Sequence, residues 1–308
     1  MTDDDLRDRY GAGGAVGKLE KEVADLLGKP AAVFLPTGVM AQQAVLRAYA
    51  DRSGSKRVAI HGLAHPLVHE LNALEEVHGL RPERMTSEPR QPRPDELAAI
   101  PGKLAAVMLE LPLRDAGFLL PSWDELVVFA EACAGRDVPL HLDGARLWES
   151  TPYLGRDLAE VAALANTVYV SFYKGLGGLA GAALAGPEDL VAEVRRWQRR
   201  LGGNMFTMEP YAVAAREGLR TVLPRMPEFY ERAVELAQGL ADKGFRVFPE
   251  PPQCNSFRVY APKPVEEINA PRWSRADVPG WSWTEVVVNA TSKSVPETLA
   301  VFAELLGD

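Results

Sequence analysis

The sequence predicts an α/β fold: a mostly parallel sheet flanked by helices, followed by a smaller C-terminal α+β domain. Two observations carry this. Up to about residue 200, short apolar and β-branched runs alternate with helical patterns, and such alternation builds a parallel sheet covered on both faces. From about residue 210 the order changes, with long helices first and short strands after them. The boundary is placed near residue 215, giving a large domain over 1–215 and a small one over 216–308. At 308 residues, 47% hydrophobic and 25% charged, the chain can bury a core of that size.

The elements follow in order. A helix is expected near 17–27, a strand at 31–35 and a helix from about 38 to 50. Strands are expected near 57–60, 104–109, 138–142 and 167–172, because each is a short apolar run between turn-forming residues. Helical spacing falls between them at 66–78, 122–134 and 156–164. Ala182 to Ala185 reads as a further buried strand, and Pro187-Glu-Asp opens a helix over 187–200 with good N-terminal chemistry. Helices near 210–222 and 226–243, strands at 245–249, 255–260 and 284–289, and a last helix at 295–306 complete the chain. The Pro- and Trp-rich stretch 262–283 has no period and is expected to be an irregular loop.

Composition excludes several functions. The net charge is −8 and no basic run appears, which argues against nucleic acid or an anionic membrane as a partner. No apolar run is long enough to span a bilayer, and no signal-like segment follows Met1-Thr-Asp-Asp-Asp. A cytoplasmic location is expected. The two cysteines, Cys133 and Cys254, make no disulfide framework.

Chemistry concentrates at two strand ends. The strand Thr167–Phe172 runs through Tyr173 into Lys174, then into Gly-Leu-Gly-Gly. Thirty-one residues earlier, Pro139-Leu-His-Leu ends in Asp143. Ligands of open α/β sheets sit at the carboxyl ends of strands, and a lysine with a carboxylate there suits pyridoxal phosphate. The lysine holds the aldehyde carbon and the carboxylate keeps the pyridine nitrogen protonated. Taken singly, each is more ordinary as a turn former or a surface residue. Thr37-Gly38-Val39 joins an apolar strand to a helix, where backbone N–H groups can hold a phosphate. Arg146 follows Asp143 by three residues and is expected to turn into the same pocket and bind a substrate carboxylate. Glu110, at the end of the 104–109 strand, either approaches the cofactor or caps a turn. His61, His65 and His69 are spaced by four, as metal ligands on a helix would be, but Pro66 reads as a helix start after the strand Val58-Ala-Ile60, which puts His61 and His65 on a loop, so no metal site is expected.

These motifs resemble the low-specificity threonine aldolases, in the β-eliminating lyase group of fold type I pyridoxal-phosphate enzymes. The residues that carry the resemblance are His141-Leu-Asp143-Gly-Ala-Arg146-Leu-Trp and Ser171-Phe-Tyr-Lys174-Gly-Leu-Gly-Gly. Weaker matches are Tyr10-Gly11, the segment from Leu19 to Pro30, Ala31 to Met40, and Leu201-Gly-Gly-Asn-Met205. The resemblance implies a fold type I transferase-like fold, His65 stacked on the cofactor ring and able to move a proton, and Tyr10 beside Arg146 and Glu110 at the substrate. Val39 stands where the family usually has a hydroxyl, so Ser171 is expected as a further phosphate donor.

Three departures concern the substrate side. Pro112-Leu113-Arg114 replaces the family's Thr-His-Asn, Phe206 stands where an arginine is usual, and the C-terminal strand Glu285–Asn289 lacks the usual substrate-binding arginine and has an acidic residue nearby. The resemblance implies cleavage of a threonine-like β-hydroxy-α-amino acid to glycine and an aldehyde. β-Elimination, transaldol exchange or racemisation, and a non-catalytic scaffold of the same fold, remain open alternatives.

The resemblance also implies a homodimer or homotetramer with shared active sites. Arg195, Arg196, Arg199 and Arg200 precede the apolar loop Met205-Phe206-Thr-Met208, a pairing that suits a segment reaching toward a neighbour. Light scattering of dilute, cofactor-loaded protein should give at least twice the 33.6 kDa chain mass. A fully active monomer would exclude a shared site.

Overall fold

The computed structural model describes residues 8–268 and 270–306. The large unit opens with α1 (Gly14–Leu26), β1 (Ala31–Leu35), α2 (Gly38–Ser53), β2 (Arg57–Ile60), α3 (His65–Val68), α4 (Ala73–His78) and β3 (Arg81–Arg84). It continues with α5 (Pro94–Ala98), β4 (Ala106–Glu110), α6 (Trp123–Gly135), β5 (Leu140–Gly144), α7 (Leu147–Leu154) and α8 (Leu158–Ala163). β6 (Thr167–Ser171), β7 (Ala182–Gly186), α9 (Glu188–Arg200) and α10 (Glu209–Thr221) follow. The C-terminal part holds α11 (Met226–Asp242), β8 (Arg246–Phe248), β9 (Ser256–Ala261), β10 (Ser274–Arg275), β11 (Ser282–Val287) and α12 (Val295–Leu306).

Seven strands form the main sheet in the order β1-β7-β6-β5-β4-β2-β3, and only β7 runs against its neighbours. β4, β5, β6 and β7 are buried at every residue. This is the signature of strands covered on both faces, which is why they read as unbroken apolar runs. Two cores lie on the two faces. One holds Phe34, Leu142, Trp148 and Phe172, and the other packs α2 and α9 against Val33, Met108 and Leu184. A second sheet, β10-β11-β9-β8, is antiparallel and carries α11 and α12. Residue 215, the expected boundary, lies inside α10, a helix that packs on α1. No helix of the described residues is long and apolar enough to cross a membrane.

Several elements differ from the sequence-based expectation. The helix expected over 66–78 is two short helices, broken where Leu71 and Asn72 adopt φ of 52° and 57°. Neither is glycine, and Asn72, a residue that tolerates the left-handed region, is the one local sign of the break. β3 is charged and contains Pro82, a composition tolerated because β3 is the sheet edge. α7 holds Pro152 inside the helix and was not expected. The stretch 262–283 includes the two-residue strand β10, paired with β11.

Gly181 leads into β7 with φ +97°, and a Cβ there would fall 2.3 Å from the Phe34 ring. Both the backbone conformation and the space demand glycine. Gly181→Ala should therefore destabilise the protein by about 2 kcal/mol or more, read as a fall of several degrees in Tm. Unchanged melting would show that Phe34 moves aside freely.

Candidate active site

Parallel pairing aligns three strand ends. Glu110 is in register with Asp143, and Asp143 with Tyr169, on the adjacent strands β4, β5 and β6. Residues in register share a face, so two carboxyls and a phenol stand in one row where the strands end. The N-terminus of α2 closes over this row. Thr37 caps α2, its Oγ1 accepting a hydrogen bond from the Met40 N–H at 3.2 Å. A Cβ on Gly38 would meet the Tyr169 hydroxyl at 2.0 Å, so glycine is what lets the helix end approach the row.

The cleft so formed is lined by Gly38, Val39, His65, Glu110, Asp143, Arg146 and Lys174, all expected from the sequence. Lys174 follows β6, with Nζ 5.9 Å from the centre of the Tyr173 ring. Burial pulls its pKa down, the nearby Asp143 charge opposes this, and Arg146 adds to the lowering. A lysine so placed has its neutral, nucleophilic form favoured. Asp143 is buried, and its carboxylate accepts from the Ala145 N–H at 3.1 Å. Burial raises its pKa and the Lys174 charge lowers it.

Glu110 accepts from the backbone N–H of His65 at 2.8 Å and of Arg114 at 3.1 Å. It therefore caps two turns at once and ties together the loops that carry those residues. Burial, reinforced by Asp143, raises its pKa, while the two N–H groups act the other way. His65 presents Nδ1 to Glu70 Oε1 at 2.9 Å, and that bond is the main cause of its raised pKa. Arg146 lies over the Phe118 ring, with its Nη1 3.7 Å from Glu149 Oε1. The Arg146 Nε and both Glu149 carboxylate oxygens are buried without hydrogen-bond partners. This guanidinium lines the cleft with its Nε unpaired.

Two expectations, at Ser171 and Tyr10, meet a different geometry. The Ser171 hydroxyl donates to the Ala145 carbonyl at 2.7 Å, a tie between β6 and the turn after β5 that occupies its proton. Tyr10 stands outside the cleft lining, half-exposed and edge-on to Phe206. The histidines diverge: His61 faces the Glu88 carbonyl, His65 faces Glu70 and His69 faces Asp115. Among the described residues no cluster of three or more metal-ligating side chains occurs.

Sequence reasoning missed Gln42, Glu70, Arg114, Tyr169 and Tyr173, which also line the cleft. Two of them carried a signal. Gln42 follows Gly38 and Val39 at helical spacing, and Tyr169 precedes Ser171 at strand spacing.

The model of the "Beta-eliminating lyase" family matches residues 1–262. The chain belongs to that family. "Low-specificity L-threonine aldolase 1" of Arabidopsis thaliana is 28% identical over 243 residues, covering 75% of this chain and 67% of that one. The Escherichia coli K12 "Low specificity L-threonine aldolase" is 27% identical over 243 residues, covering 77% and 72%. Among solved structures, one from Listeria monocytogenes whose proposed identity is an L-allo-threonine aldolase superposes with a TM-score of 0.92. Its identity is 35%, over 99% of this chain and 88% of that one. Leishmania major threonine aldolase, 19% identical with a TM-score of 0.79, shares the fold. The fold is that of the type I pyridoxal-phosphate enzymes. The donor set fits such a cofactor: an amine of lowered pKa, a buried carboxylate, a glycine-opened helix N-terminus and a flanking imidazole.

The His65–Glu70 pair predicts a pH dependence. Because the folded-state pKa of His65 is raised above 6.5, the pair's stabilisation is complete below that ordinary value. It is lost as pH rises through the raised one. Glu70→Gln should move the His65 titration back to lower pH in an NMR pH series. An unmoved titration would separate the two residues.

Proposed function

We propose that this protein is a pyridoxal-phosphate-dependent aldehyde-lyase that cleaves a threonine-like β-hydroxy-α-amino acid to glycine and an aldehyde. The observation that carries the reading is Lys174 at the end of β6 beside buried Asp143 on β5, with the under-paired Arg146 in the same cleft. Family membership and the threonine aldolase relatives support it.

Each residue has a task. Lys174 would hold the cofactor through its side-chain amine, whose neutral form is favoured by burial. Asp143 keeps the pyridine nitrogen protonated, and when bound, pyridoxal phosphate supplies a sink for the electron pair left at Cα. Thr37, Gly38 and Val39 offer the start of α2 to the phosphate. Arg146 takes the substrate carboxylate, for which its buried Nε is free. His65 covers the cofactor ring and, backed by Glu70, accepts the β-hydroxyl proton directly or through water. Glu110 keeps the backbone of His65 and Arg114 in place.

Assembly as a homodimer or homotetramer in the cytoplasm completes the proposal. Phe206 at 66% exposure, Tyr10 at 55% and Leu179 at 68% are apolar surface that a second copy would cover. A pyridoxal-phosphate enzyme of altered chemistry is the second reading. It is favoured by the Arg114–Glu285 ion pair at 2.8 Å, which ties the cleft's other arginine to the small sheet.

Three measurements test the proposal. The purified protein should absorb in the near-visible and lose that band on borohydride treatment, with the label on Lys174; Lys174→Ala should lack both the band and turnover. Threonine and phenylserine should each release glycine with the matching aldehyde. A cofactor-loaded protein that releases neither product sinks the aldolase assignment and leaves the second reading. Asp143→Asn should retain some cofactor and lose most turnover, since an amide cannot hold the ring nitrogen protonated. Wild-type rates in that variant would mean that the carboxylate serves another purpose.

A further inference from the structure

The cleft contains a buried donor with nothing to bind. Gln42 is 2% exposed and lines the cleft on the same face of α2 as Gly38 and Val39, one turn further into the helix. Its Oε1 lies 2.6 Å from His141 Nε2, while its Nε2 has no hydrogen-bond partner. The neighbouring Gln43 shows the usual outcome. Its amide is satisfied at both ends, by Glu70 at 3.5 Å and His78 at 3.2 Å.

A hydrogen-bonded chain behind Gln42 decides which way its amide faces. His141 Nδ1 is 2.9 Å from Thr167 Oγ1, which is in turn 3.1 Å from the Tyr49 hydroxyl. His141 and Thr167 are in register on β5 and β6, in the row beneath Asp143 and Tyr169. Burial drives the His141 pKa down to about 3 and the Tyr49 pKa up to about 12. The imidazole is therefore neutral, with one N–H, and the phenol keeps its proton. The arrangement in which Tyr49 donates to Thr167 and Thr167 to Nδ1 is the one that puts the single ring N–H on Nε2, where it donates to Gln42 Oε1. The amide oxygen is thereby occupied, and the NH₂ is what the cleft receives.

We propose that Gln42 Nε2 is a direct binding contact for pyridoxal phosphate, held donor-outward by the relay Tyr49–Thr167–His141. The inference rests on the cofactor reading given above. Buried amide donors are rarely left unpaired in folded proteins, and an acceptor atom on whatever fills the cleft supplies the missing partner. His141 in this scheme is a positioning residue that acts through Gln42.

The test is cofactor binding to dialysed protein, followed by absorbance and tryptophan quenching as pyridoxal phosphate is titrated in. Gln42→Glu keeps the shape and the bond from His141 but turns an acceptor toward the cleft. It should weaken binding roughly tenfold or more. Gln42→Met should do likewise, and Gln42→Asn, which retracts the amide, serves if the methionine variant does not fold. His141→Phe should weaken binding in the wild-type background and add little in Gln42→Met, because the relay then has nothing to orient. Additive losses would mean that His141 only supports the fold, and would overturn the relay. Wild-type affinity in both Gln42→Glu and Gln42→Met would overturn the contact. A wild-type protein that takes up no pyridoxal phosphate overturns the cofactor reading itself, and this contact with it.

Discussion

Asp143 is 3% exposed and accepts its hydrogen bond from the backbone of Ala145. A carboxyl placed there is costly unless charge or hydrogen bonds answer it, and Glu110 stands in register one strand away. Burial raises the pKa of both acids, the Asp143 charge raises that of Glu110 further, and the surrounding residues act as the answer. Lys174 and His65 bring positive charge to Asp143, while backbone N–H groups of His65 and Arg114 converge on Glu110. The charged groups of the cleft thus answer one another electrostatically.

The parallel ladder sets this arrangement. Since in-register residues share a face, Glu110, Asp143 and Tyr169 form the upper row and Met108, His141 and Thr167 the row beneath. The upper row faces the cleft. The lower row meets α2 and supplies the polar chain through Gln42. A shift of one residue in any of these strands would turn its polar groups into the opposite, apolar core.

The small sheet reaches the site through one loop. Arg114 bonds Glu285 on β11, Arg258 on β9 donates to the carbonyls of Arg114 and Asp115, and Phe248 packs where Gly117 leaves room. The segment after β4 is therefore fixed from both units.

Much of this was legible in the chain because the signals were local. Buried parallel strands read as apolar runs, and Lys174 and Asp143 stood at strand ends where such folds place ligands. The cleft residues Gly38, Val39, Glu110 and Arg146 followed from the same logic, and His65 from the family resemblance. What failed was non-local. The break at Leu71 and Asn72 has no glycine to announce it, and the Ser171 hydroxyl, expected at a phosphate, is taken by the Ala145 carbonyl. The sequence by itself determined the order of elements and the chemistry available at each strand end, since both depend on neighbours along the chain. Only the tertiary structure decided which side chains face one another across strands. The Glu110–Asp143 row, the Gln42–His141 bond and the Arg114–Glu285 bridge join residues that register and packing bring together, and spacing along the chain does not encode them.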